Sequence, residues 1–276
     1  MSRYLFIGFV ILTLSCDNPF SEDEIAGDQR TLRGSVTLQG NGSPKGVYVW
    51  LEGIEVGTFT DEQGEFTLTI PPKSALNAGG EINGEFSLYF YSINYTLETK
   101  TVLLKNGSIL YGKGNVGKDG IVPSTFLMKT FDAETRTAFN VVIPADTLHL
   151  SITAHFKAVG DSFKISLPKA TMILLGGVFI RDLNSGTIYV AESETGTGEP
   201  YVELLKKRDR LWTFHPNIEK LGLPSGRYDI LPYVFPYYPR LPANLLKSMG
   251  IESGHMSTAY LELCFTCQCA EFRLIL

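Results

Sequence analysis

Apolar and polar positions alternate with a period of two through most of the chain beyond residue 30. Residues 32–38 alternate moderately, Val47, Val49 and Leu51 alternate with Tyr48 and Trp50, and Phe66, Leu68 and Ile70 share one face. That period predicts strands with a buried face. The turns between them are explicit. Gly40, Asn41, Gly42 and Pro44 break the chain at 39–45, and Pro71 and Pro72 end the strand that precedes them. The run Thr60-Asp61-Glu62-Gln63-Gly64-Glu65-Phe66 predicts a hairpin, with Asp61 accepting from the turn amides and Gly64 taking positive φ without steric cost.

The same reading continues to the C-terminus. Residues 141–143, 148–156, 162–167, 172–180, 187–190, 226–230 and 260–276 read as strands, and Asp182-Leu183-Asn184-Ser185-Gly186 as a turn. Short helices are predicted at 199–210, 216–221 and 243–249. The longest apolar run past the N-terminus, 170–180, holds two glycines and is too short to cross a bilayer, so it reads as a buried strand. The predicted fold class is mainly β: a β-sandwich over 31–131, then a second β-rich, sandwich-like domain over 132–276 with a few short helices.

The N-terminus follows a different pattern. Arg3 carries a positive charge, residues 4–14 are uncharged and almost wholly apolar, and small Ser15 precedes Cys16. A basic start, a short apolar stretch and a small residue at the cleavage point describe a secretory signal, here residues 1–15. Leu12-Thr13-Leu14-Ser15-Cys16 resembles a lipobox, with Thr13 where leucine is favoured, which implies cleavage before Cys16 and acylation of its thiol. The acidic segment 16–30 lacks apolar periodicity and reads as a flexible tether. These features together predict a bacterial cell-envelope lipoprotein of the outer membrane, facing the periplasm or the surface, with the membrane as partner through the lipid.

Residues of the first sandwich resemble the carboxypeptidase regulatory-like domain, in Gly34, Pro44, Gly46-Val47, Val49, Leu51, Gly53, Thr60-Asp61, Gly64 and Phe66. The resemblance continues through Phe86-Ser87-Leu88-Tyr89-Phe90, a turn at Asn94-Tyr95, a strand at 99–104 and a closing strand at Phe126-Leu127-Met128. It covers about residues 31–131. It implies a transthyretin-like β-sandwich of about seven strands that acts as an accessory module. Asn94 stands where the family has glycine, and 105–123 is a glycine-rich insertion.

Composition narrows the functions. With 44% hydrophobic and 19% charged residues over its 276 residues the chain is ordinary globular material, and a net charge of −5 argues against nucleic-acid binding. Gly112-Lys113-Gly114-Asn115-Val116-Gly117-Lys118 matches phosphate-loop spacing by letter. Asp119 occupies the magnesium-binding hydroxyl's place, though, and Gly120 and Pro123 replace the helix such loops need. The histidines His149, His155, His215 and His255 are dispersed, no nucleophile elbow occurs, and Glu192, Glu194 and Glu199 read as loop charges. Two of Cys264, Cys267 and Cys269 can form a disulfide, or all three pack in the β-core; a zinc site of the three thiolates with His255 is the rival reading. Tyr233-Val234-Phe235-Pro236-Tyr237-Tyr238-Pro239-Arg240 is extended by its prolines and rich in amphipathic rings, making Tyr233, Tyr237, Tyr238 and Arg240 the candidate ligand-binding residues for a polysaccharide or an envelope protein. The expected role is structural or binding, without catalytic residue, resident metal or cofactor. The alternatives are a carbohydrate-active or other hydrolytic accessory protein and a metal-binding envelope protein.

Overall fold

A computed structural model describes residues 29–72, 74–75, 82–143, 150–193, 199–252 and 255–276. The signal, Cys16 and most of the tether lie outside the described residues. The chain is mainly β, as its alternation predicts. The first strands are β1 (Thr31–Leu38), β2 (Tyr48–Leu51), β3 (Val56–Phe59), β4 (Glu65–Thr69), β5 (Gly84–Tyr91), β6 (Glu98–Lys105), β7 (Ser108–Ile109) and β8 (Thr125–Leu127). They form two sheets, β4-β1-β8 and β3-β2-β5-β6-β7. All neighbours are antiparallel except β1 and β8, which run parallel with Val36 opposite Thr125. Leu32, Val36, Phe66 and Leu68 from one sheet meet Val49, Leu51, Leu88 and Phe90 from the other in one core. Phe66 and Phe90 bridge the sheets edge to face, with ring centroids 5.7 Å apart.

The turn at 61–64 has the chemistry its residues predict but not the predicted topology. Asp61 Oδ1 accepts from Gln63 N at 3.0 Å and Glu65 N at 2.9 Å, and Gly64 sits at φ 79°, where a Cβ would collide with the Val36 carbonyl. The strands on either side are not a hairpin. β3 belongs to the five-stranded sheet and β4 to the other, so the turn carries the chain across the sandwich.

The remaining elements are β9 (Phe131–Thr137), β10 (Val141–Val142), β11 (Ile152–Ala158), β12 (Ser162–Leu167), β13 (Gly177–Asp182), β14 (Ile188–Glu192), β15 (Tyr201–Lys206), β16 (Arg210–Phe214), α1 (Ile218–Leu221), β17 (Gly226–Pro232), β18 (Phe235–Pro236), α2 (Ala243–Ser248), a 3-10 turn (Thr258–Glu262) and β19 (Glu271–Leu274). The sheet β10-β19-β17-β13-β14 shares a second core with two three-stranded sheets, β16-β11-β9 and β15-β12-β18. Three expectations are corrected. Residues 201–206 form strand, not helix, because Tyr201, Glu203 and Leu205 turn one way while Val202 and Leu204 face solvent, a period of two that outweighs the helix-favouring Glu-Leu-Leu-Lys-Lys composition. Within 170–180 only the part from Gly177 on is strand, and Met172 and Ile173 are each 66% exposed. Within 260–276 only Glu271–Leu274 is strand, because Tyr260 already belongs to the 3-10 turn and the intervening segment spans both cores.

The two cores are stitched together along β2. Every residue of that strand is buried. Val49 and Leu51 fill the first core, while Tyr48 and Trp50, with Tyr91 from β5, project into the second. The C-terminal segment crosses the same seam. Cys264 N donates to Gly46 O at 2.7 Å and Ile93 N to Cys264 O at 3.0 Å. Buried Asn94 accepts from Thr266 N at 3.1 Å and donates to Thr266 O at 2.8 Å and Phe131 O at 3.2 Å. Gly46 is required here: it sits at φ 82°, and a Cβ would strike the Glu262 carbonyl.

The seam holds one costly group. The Tyr91 hydroxyl is fully buried and has no hydrogen-bond partner among the described residues. Deleting an unpaired buried hydroxyl removes a desolvation cost without losing a bond. Tyr91→Phe is therefore expected to leave stability unchanged or raise it by up to about 1 kcal/mol in urea unfolding. A loss of about 1 kcal/mol or more would show that the hydroxyl is bonded.

Candidate functional site: a groove around Tyr237

The aromatic and proline segment predicted from sequence is fixed as an edge of the β12 sheet. Ser166 faces Phe235, Ile165 faces Pro236, and Tyr237 N donates to Lys164 O at 3.0 Å. The chain then turns, with Leu241 N donating to Tyr238 O at 3.1 Å, and enters α2 at Pro242. Between this turn, α2 and the end of β12 lies a groove of about 550 Å³. Pro168, Pro200, Pro236 and Leu241 contribute apolar surface, and Lys169, Lys247 and Glu252 contribute charge.

The four candidate residues do not act together. Tyr233 is 2% exposed and packs against Phe179, Phe235 and Tyr260 with centroids 5.6, 4.9 and 4.9 Å away. Its hydroxyl donates to His255 O at 3.3 Å, and burial pushes its pKa up to about 12. Tyr238 is also structural: its hydroxyl donates to Tyr95 O at 2.8 Å, its ring meets Phe163 edge on at 5.8 Å, and burial pushes the phenol upward. Both phenols thus stay protonated as donors. Arg240 is exposed and does not line the groove. Tyr237, at 37% exposed, is the tyrosine that offers a ring to solvent within the groove, with Lys164 Nζ 5.8 Å from its centroid. The remaining lining comes from 166–169, 200 and 243–252, and only the predicted helix at 243–249 hinted at it.

The other candidates are spread through the fold. Cys264, Cys267 and Cys269 carry free thiols. Cys264 lies in the first core, where its Sγ donates to Ser43 O at 3.5 Å and burial pushes its pKa up to about 12. Cys267 packs against the second core. Among the described residues no three His, Cys, Asp or Glu side chains converge to hold a metal ion. His149 and Glu194 lie outside the described residues. His155 lines a cleft beside Cys267, and His215 lines a depression of about 730 Å³ near β14 that also holds the Lys169–Glu192 ion pair, 3.0 Å long. That depression presents no exposed Phe, Tyr or Trp ring, since its Phe214 is buried. The 112–118 loop starts no helix; instead Asn115 clamps β6, its side-chain Oδ1 accepting from Thr101 N at 2.7 Å and its backbone N–H donating to Thr101 O at 2.9 Å.

No family model matches the sequence, and no curated protein matches it. Among solved structures, the Bacillus anthracis TIE protein is 10% identical with TM-score 0.23 over 75% of this chain, which spans about half of that protein, 47%. The major pilin T-13 of Streptococcus pyogenes is 12% identical with TM-score 0.24, covering 74% of this chain and 81% of the pilin. The major pilin subunit BcpA of Bacillus cereus is 11% identical with TM-score 0.23, covering 73% and 63%. Superpositions this partial assign neither a family nor a role. No helix among the described residues is long and apolar enough to cross a membrane.

Proposed function

We propose that this chain is a non-catalytic envelope protein, lipid-anchored through Cys16, whose groove at Tyr237 binds a polysaccharide. In this reading the first half is a transthyretin-like spacer and the second half carries the ligand. The single observation that carries the binding role is the exposed Tyr237 ring set in a groove of prolines and rimmed by Lys247 and Glu252. A sugar ring offers an apolar C–H face to such a ring and hydroxyls to the charged rim, the pairing of apolar body and polar orientation that binding grooves use. The basic and apolar N-terminal signal and the cysteine at 16 support the anchored location.

The test is calorimetric titration with two defined ligands, soluble peptidoglycan fragments and the delipidated polysaccharide of lipopolysaccharide. Tyr237→Ala is expected to weaken binding of at least one by about tenfold or more, as loss of a central aromatic anchor does. Arg240→Ala, outside the groove, should change it by less than about twofold. Absence of binding by the native chain to both ligands, or unchanged binding by Tyr237→Ala, would defeat the reading.

A further inference from the structure

The groove at Tyr237 and the depression near β14 share a wall, because Lys169 lines both. The residue follows β12 in a turn closed by Ala170 N donating to Leu167 O at 3.3 Å. Its backbone sits at φ 54°, in the left-handed region that residues other than glycine seldom adopt. Among the described residues the other two such cases, Glu55 and Asn106, lie in exposed turns. Lys169 is instead largely covered, with its side chain 20% exposed and its Nζ 3.0 Å from Glu192. Gly176 makes that meeting possible. A Cβ on Gly176 would strike the Pro168 carbonyl, and its own carbonyl accepts from Ser193 N at 2.7 Å, so the turn and the end of β14 are both drawn against one glycine. Glu192 is held a second time, accepting from Met256 N at 3.2 Å. Backbone strain of this kind persists only where surrounding contacts over-determine it, and it clusters at ligand sites.

Charge favours the same place. The chain carries a net charge of −5, yet the two cavities are basic on balance. Lys169, Lys220 and Lys247 line them, with His215, against Glu192 and Glu252. Lys164, over the Tyr237 ring, adds an ammonium beside the groove. These lysines stand on separate elements, β12, the turn after it, α1 and α2. Each such ammonium is a point charge, which suits single carboxylates repeated along a sugar chain better than the convergent donors that cradle a phosphate.

We propose that the polysaccharide of the Tyr237 groove is acidic and continues into the β14 depression, passing over Lys169, which selects it by pairing with a sugar carboxylate. The inference rests on the polysaccharide reading of the groove. Tyr237 supplies the ring for an apolar sugar face at one end, and His215 stands at the other. At the junction the ammonium of Lys169 has three donors, of which Glu192 takes one and the ligand can take another.

Calorimetric titration of the full chain tests this with soluble peptidoglycan strands and the delipidated polysaccharide of lipopolysaccharide, each in short and long fractions, and each with its carboxylates free or amidated. The native chain is expected to bind the free acid of at least one about tenfold more tightly than its amidated form. Raised salt should weaken binding of the free acid and leave the amidated form unmoved. Lys169→Gln should remove most of the preference, and Lys169→Arg, which keeps the charge, should restore it to within about threefold. His215→Ala should weaken the long fraction and spare the short one. Equal affinity for the two forms, with binding still lost in Tyr237→Ala, would overturn the acidic assignment and leave the groove as a neutral-sugar site. A preference that survives Lys169→Gln, or an effect of His215→Ala equal for short and long fractions, would overturn the path over Lys169. Tighter binding of a poly-glutamate peptide than of either glycan would put a protein partner there instead and overturn it too. Binding indifferent to Tyr237→Ala would defeat the groove reading itself. The comparison of free and amidated ligand uses the native chain alone, so it decides the case even where a variant folds poorly.

Discussion

Asn94→Ala is expected to destabilise the chain by about 3–5 kcal/mol, a large share of the ~5–15 kcal/mol that holds a typical domain together. The carboxamide is fully buried and makes three bonds, two to the backbone of Thr266 and one to Phe131 O. Truncation leaves a buried N–H and two carbonyls unpaired, at about 1–3 kcal/mol each, less than additively because water can enter beside the shortened side chain. Asn94→Gly should do as badly as alanine. The residue is not among those with left-handed backbone, so glycine relieves no strain here. Asn94→Asp separates the hydrogen-bonding role from the steric one. A carboxylate keeps the bond from Thr266 N but faces the carbonyls of Thr266 and Phe131. Its folded pKa is thereby raised above the unfolded value of about 3.9. The folded state then binds the proton more tightly than the unfolded one, so its deficit grows as pH rises through the folded pKa and shrinks as pH falls toward the unfolded one. Urea midpoints for the four proteins across mildly acid to neutral pH check both statements. A loss below about 1 kcal/mol for alanine would mean that the C-terminal segment is held without this clamp.

Asn94 also shows what could and could not be read from residue order. A period of two is a local property, and it located β1, β2 and β4 with little error, and the strand reading at 162–167 matches β12. The Asx chemistry at Asp61 and the positive φ of Gly64 are equally local. Which sheet each neighbouring strand joins is not local, so the same turn that looked like a hairpin is a crossing between sheets. Asn94 could be read as a turn residue, but its partner, the backbone of Thr266, lies 172 residues away. The candidate site divides the same way. A run of tyrosines and prolines marks a surface that can bind, yet tyrosine serves buried and exposed positions alike. Only the distant partners decide: His255 O for Tyr233, Tyr95 O for Tyr238, and solvent for Tyr237. The lining from Pro168, Pro200 and Lys247 has no counterpart in the motif at all.

Trp50→Ala should cost about 3–5 kcal/mol and, beyond that, loosen the coupling between the two cores. The indole is 1% exposed and lies on the face of β2 turned away from the first core, tilted against Tyr89 at 5.9 Å and packed within the second. Replacing it leaves a void at the seam, and the void forfeits contacts from both halves at once. Trp50→Phe should cost much less. The indole N–H is buried with no partner among the described residues, so phenylalanine loses volume but also sheds an unpaired donor. The experiment has a built-in reporter. The chain has two tryptophans, and the other, Trp212, is buried in the second core on β16. In Trp50→Ala its fluorescence therefore follows the second core alone, while circular dichroism follows all the strands. A native chain coupled through β2 should unfold with both signals coincident. In Trp50→Ala the two midpoints should separate. Coincident midpoints at reduced stability would assign the coupling to the Asn94–Thr266 clamp instead, and the double variant Trp50→Ala/Asn94→Ala would then be the one to split the transition.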